Sequence, residues 1–125
     1  MDSAFPQRYC SRGKIEKFAE PCLLQLLSEK PAHGYELMER LAEFGLDTRV
    51  RDPGQVYRTL RSLEKEGLVV SHWEPGQSGP ARRYYRLTRQ GSDALRGWTE
   101  ALKERVVVIQ KLLERYRQFH KEEAP

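Results

Sequence analysis

The chain has 125 residues and a mass of 14.6 kDa, enough for one domain with a modest core, and nothing in it suggests a second. Charged residues make up 32% of it while the net charge is only +4, so any surface that binds a polyanion has to be locally basic. No window approaches the roughly 18 apolar residues of a membrane span, MDSAFPQRYCSRGK has no apolar signal core, and two cysteines make no disulfide framework, so a cytoplasmic protein without a membrane partner is expected.

Residues 1–13 read as a flexible arm. No histidine lies near Cys10 or Cys22, which argues against a zinc site; Cys22 belongs to the apolar run PCLLQLL and reads as core, while a redox- or metal-sensing thiol stays open for Cys10. From Ile15 onward Phe18, Ala19, Cys22, Leu23, Leu26 and Leu27 recur at spacings of three and four, a helical stripe. Pro21 interrupts it, so either the helix proper starts there or it is kinked there.

The turn EKPAHG ends that pattern, and Tyr35, Leu37, Met38, Leu41 and Phe44 predict a second amphipathic helix closed by Gly45. Asp52 then caps a third helix that begins at Pro53, buries Val56, Leu60 and Leu63, and stops at Gly67. Beyond Gly67 the period changes. LVVSHWE and ARRYYRL flank the turn-rich EPGQSGP and predict a two-stranded hairpin, after which Thr88 caps a long helix reaching about Phe119. The expected architecture is mainly α with a small β-hairpin: a helix-helix-helix-hairpin unit over 14–88 and a C-terminal helix with a short tail over 89–125.

On a wheel of 100° per residue Leu60 and Leu63 fall within about 40° of Val56, and Gly54, Arg58, Arg61 and Lys65 fall near the opposite pole. The third helix is therefore apolar behind and basic in front. Its first turn, DPGQ, carries small or hydrogen-bonding side chains; Gln55 has the donor and acceptor pair suited to an adenine edge, and the Tyr57 hydroxyl can reach a phosphate from the flank. Residues 49–89 hold nine basic and four acidic side chains, a net of +5 that leaves −1 for the rest of a chain carrying +4. Most of that charge is arginine, whose planar fork suits phosphate and guanine.

Three short helices followed by a hairpin form the winged helix-turn-helix plan, in which one helix enters the major groove of DNA and the wing lies on the flanking backbone. The wing tip, with Gln77 and Ser78, exposes backbone N–H groups, and Arg82 and Arg83 follow as candidate phosphate clamps. A charged helix face or an arginine-rich hairpin alone is usually just solvated surface. Their occurrence together, in this order, carries the inference. Tyr85 shares a strand face with Leu87 and is expected to anchor the wing.

HGYELMERL, PGQVYRTLRSLEKEGLV and GPARRYYRLTRQG together resemble the PadR family of bacterial transcriptional regulators over residues 21–98, and QVYRTLRSLEKEGLV with GPARR is also similar to its poly-β-hydroxybutyrate-responsive repressor subgroup. The resemblance implies a homodimeric winged-helix repressor of double-stranded DNA. By that analogy Gln55, Tyr57, Arg58 and Arg61 are recognition-helix contacts, Gln77, Ser78, Arg82 and Arg83 are wing contacts, and Tyr35 touches the DNA backbone. His33 matches the motif, with a local role in its turn.

Leu95, Trp98, Leu102, Arg105, Ile109, Leu112, Tyr116 and Phe119 alternate at three and four, the seam of a coiled coil. A small bundle has no room to bury such a stripe, so a homodimer interface is expected at Leu95, Trp98, Leu102, Ile109, Leu112 and Tyr116. Arg105 interrupts it, to fix register, to pair with a glutamate across the interface, or to reach solvent where the helices diverge. By the same resemblance, Leu95, Trp98 and Leu102 would line a pocket for a small aromatic or hydrophobic effector, although a tryptophan at a seam is more often core.

Catalysis is not expected: no phosphate loop, HExxH helix or GxSxG elbow occurs, and His33, His72 and His120 are scattered, so neither metal nor cofactor is implied. The rival class is a winged helix used as a protein-binding adaptor or antirepressor, which would not need phosphate neutralisation.

Overall fold

The structure, a computed structural model, describes residues 18–46, 52–76 and 79–121. The N-terminal arm with Cys10, and the wing-tip residues Gln77 and Ser78, lie outside the described residues. The first helix, α1 (Ala19–Glu29), buries Cys22, Leu23, Leu26 and Leu27, the face dictated by their spacing. Pro21 is its third residue, inside the first turn, where a missing N–H forfeits no intrahelical bond. The helix thus begins ahead of the proline and runs through it.

The turn EKPAHG holds a strand that local pattern does not announce. β1 (Ala32–His33) pairs antiparallel with β3 (Arg82–Leu87), Ala32 opposite Tyr85 and His33 opposite Tyr84. The expected hairpin of β2 (Val69–Glu74) and β3 is therefore part of a three-stranded sheet in the order β1-β3-β2. Two residues are too few to show alternation, and their partner strand lies far along the chain.

Between β1 and the wing come α2 (Gly34–Leu41), a 3-10 turn at Ala42–Phe44, and α3 (Pro53–Lys65). Gly45 closes the first pair at φ +76° and Gly67 follows α3 at φ +81°, the left-handed conformation that favours glycine. The Asp52 carboxylate accepts from the Gln55 N–H at 3.2 Å, and Pro53 opens the helix behind it.

The last helix, α4 (Arg89–Phe119), starts from Thr88, whose Oγ accepts from the Gly91 N–H at 2.9 Å and donates to the Gly67 carbonyl at 2.7 Å. A Cβ on Gly91 would collide with the Leu68 carbonyl, so the first turn of α4 seats directly on the link between α3 and β2. The core joins Leu23, Leu24 and Leu26 of α1, Leu37 and Leu41 of α2, Leu60 and Leu63 of α3, and Val69 and Tyr85 of the sheet. Each fully buried aliphatic side chain contributes about 1.5–3 kcal/mol.

Trp98 is 5% exposed and belongs to this same core, with Leu95 and Leu102 packed partly against it. The first half of the seam is thus covered within the protomer. Periodicity reveals that a stripe is buried, but not what buries it. Val106, Val107, Val108, Ile109, Leu112, Leu113, Tyr116 and Phe119 on the second half are exposed.

Candidate nucleic-acid interface

The outer side of α3 is laid out as its sequence dictates: Val56, Thr59, Leu60 and Leu63 are buried, and Arg58, Arg61 and Lys65 are exposed. At its N-terminal end the Arg58 Nη2 donates to the Gln55 Oε1 at 2.8 Å, so the two side chains expected to meet base edges hold each other. That pairing pre-orders them over the small first turn.

Beside α3 runs a groove of about 730 Å³, floored by α3 and the head of α2 and walled by the sheet. Tyr35, Tyr57, Arg61, Arg82 and Arg83 all line it, which brings five of the residues singled out in the sequence to one concave surface. Tyr35, in the first turn of α2, is 60% exposed. Tyr57 reaches across to α2 because residue 34 is glycine: a Cβ there would stand 2.6 Å from Tyr57 Cε1.

Side chains missed from the sequence complete the groove. The Ser71 hydroxyl lies 3.0 and 2.9 Å from the two carboxylate oxygens of Glu64, and Arg83 Nε donates to the same hydroxyl oxygen at 2.9 Å. The Arg83 Nη2 is 3.8 Å from Glu64, and its guanidinium carbon lies 5.1 Å from the centre of the Trp73 ring. Strand register places Trp73 opposite Arg83, so this contact is built into the sheet. Arg82 is exposed and has no side-chain partner among the described residues. The two neighbouring arginines therefore differ, one fixed and partly neutralised, the other open.

The other sheet face carries a row of rings. Tyr84 lies between His33 and His72, with centroids 4.9 and 5.4 Å away, and Glu74 meets the two imidazoles with its two oxygens at 3.3 and 3.5 Å. His33 thus does more than shape its turn: it ties the head of α2 to the wing. Tyr85 is the anchor expected of it, 4% exposed, and burial pushes its phenol above the ordinary range against the opposing pull of Arg83. Gln77 and Ser78, and Arg49 and Arg51 of the basic stretch, fall outside the described residues.

Residues 23–97, more than half of the chain, match the model of the transcriptional regulator PadR-like family. The chain belongs to the PadR-like family. Among its relatives, the transcriptional regulator YqjI of Escherichia coli (strain K12) is 28% identical over 105 residues, covering 84% of this chain; the chain spans 45% of that protein's length. The transcriptional regulator Rv3488 of Mycobacterium tuberculosis (strain ATCC 25618 / H37Rv) is 39% identical over 82 residues, 66% of this chain and 73% of the relative. The crystal structure of a PadR-like transcriptional regulator from Bacillus cereus superposes with a TM-score of 0.66 at 26% identity, covering 79% of this chain and 94% of the other.

This PadR-like chain has the winged-helix architecture of those regulators, with β2 and β3 as the wing and α4 as the long C-terminal helix. The family and the neighbours named for it are transcriptional regulators and not enzymes. No helix among the described residues is long and apolar enough to cross a membrane.

Proposed function

We propose that this PadR-like protein binds double-stranded DNA sequence-specifically and represses transcription as a homodimer on a palindromic operator. The observation that carries this is the convergence of Tyr35, Tyr57, Arg61, Arg82 and Arg83 on one groove beside the basic face of α3. In this reading α3 enters the major groove and presents Gln55 and Arg58 to base edges, while Tyr35, Tyr57 and Arg61 meet phosphates on one side and the wing clamps the neighbouring backbone. An occupied operator excludes the transcription machinery.

Dimerisation is supported by the second half of α4, where Ile109 and Leu112 are 50% and 64% exposed and Tyr116 follows on the same stripe. Isolated exposed apolar residues are ordinary, but a run of this length on one helix marks an interaction surface. A dimer paired through it reads a palindrome when its two α3 helices stand about 34 Å apart, one turn of B-DNA. A small aromatic or hydrophobic effector would act where Leu102, at the end of the packed stretch, meets that surface; Trp98 and Leu95 lie behind it.

Selection of bound sequences from a random duplex pool tests the proposal. It should enrich a palindrome whose half-sites are centred about 10 bp apart. No enrichment would favour the protein-binding adaptor, and a lone half-site would remove the dimer.

A further inference from the structure

We infer that Glu64 is a positioning residue: through Ser71 it fixes Arg83, and with it the wing, against α3, so that helix and wing meet DNA at one set separation. This rests on the DNA-binding reading above and deepens it. A carboxylate lining a groove that receives phosphates opposes binding by like-charge repulsion, so its place there calls for a compensating role. The hydrogen bonds supply one. The Ser71 hydroxyl has a single proton to donate, and it lies within reach of both Glu64 oxygens at 3.0 and 2.9 Å. Its oxygen is then free to accept from Arg83 Nε at 2.9 Å, completing a relay from α3 through β2 to β3. Trp73 closes the arrangement from the next position on the same face of β2.

β1 pairs only with Tyr84 and Tyr85, so from Arg83 outward the wing is a two-stranded ribbon, weakly ordered by its own hydrogen bonds, and its angle to α3 depends on side-chain links of this kind. Arg83 remains 40% exposed and still lines the groove, so fixing it does not remove it from the DNA face. The relay converts a mobile cation into a placed one. Its consequence is discrimination more than affinity, because an operator is recognised only when base contacts from α3 and backbone contacts from the wing are made together.

The test uses the full chain with Ser71→Ala, Ser71→Thr and Glu64→Gln, each first shown by thermal melting to be folded. Without DNA, amide exchange in β2 and β3 should run faster in S71A than in wild type by about tenfold or more, the worth of one hydrogen bond to a charged group, and S71T should restore it. With DNA, the probes are the best duplex from the random pool and a scrambled duplex of equal length. S71A should lower the ratio of the two affinities about tenfold with an unchanged salt slope, since no charge is altered, and S71T should recover it. E64Q should bind the scrambled duplex more tightly while losing part of the ratio. Wild-type exchange and a wild-type ratio in S71A would overturn the inference. Wild-type protein that binds neither duplex at low salt would instead overturn the DNA reading, and the exchange data would still decide whether the relay holds the wing.

Discussion

The ring of Tyr57 fills the space that a side chain at residue 34 would occupy: a Cβ on Gly34 would stand 2.6 Å from Cε1 and 2.9 Å from the phenol oxygen. The contact joins α3 to the head of α2, which together floor the groove. In Gly34→Ala the Tyr57 ring has to swing outward, at a cost of about 1 kcal/mol in stability. Duplex binding should fall further than stability does, because the displaced ring stands in the groove. A double-mutant cycle checks this: with Tyr57→Ala already present, Gly34→Ala should add almost nothing.

Thr88 links three elements with one hydroxyl, accepting from Gly91 and donating to the Gly67 carbonyl. Thr88→Ala removes a helix cap and leaves that carbonyl short of a partner, so thermal unfolding should show a loss of about 1–2 kcal/mol, and Thr88→Ser should restore most of it.

The caps at Asp52 and Thr88 and the stop glycines Gly45 and Gly67 were legible because each acts within a few residues of itself. The basic face of α3 was legible for the same reason, since a helix turns periodicity into geometry. β1 was not, because a two-residue strand exists only through its pairing with β3. Nor was the link from Glu64 through Ser71 to Arg83, whose members come from different elements and carry no motif. The stripe on α4 is legible from its spacing, but its first half is covered by the protomer's own core, a division that only tertiary packing makes. Gly34 stood in view inside HGYEL, and its reason, the Tyr57 ring, came from another helix.

Cys22 is buried in α1, and burial pushes its thiol up to about 11. The raised value disfavours the thiolate, so alkylation by iodoacetamide at pH 8 should be at least about tenfold slower in the folded protein than in the denatured chain. Because the folded value is the higher one, the proton bound at Cys22 stabilises the fold at neutral pH and is lost as pH rises toward 11. Labelling of Cys22 at the unfolded rate would show that α1 is open.

Ile109 and Leu113 are exposed on α4 beyond the packed stretch, at 50% and 51%. Ile109→Asp with Leu113→Asp should leave the protomer folded and make it monomeric in sedimentation equilibrium. Operator affinity should then drop by about a hundredfold or more, because the two half-sites no longer act together. A Leu102→Asp change is a poorer probe, since Leu102 packs against the core and its loss would unfold the protomer as well.

The most direct test of the central claim is the slope of log K against log salt for the wild-type protein on its selected duplex. Arg61 and Arg82 on each protomer, with partly neutralised Arg83 beside them, predict a slope of about −4 or steeper, and Arg82→Ala should flatten it by about one unit per half-site. A slope near zero, or no duplex binding at low salt, would contradict the account.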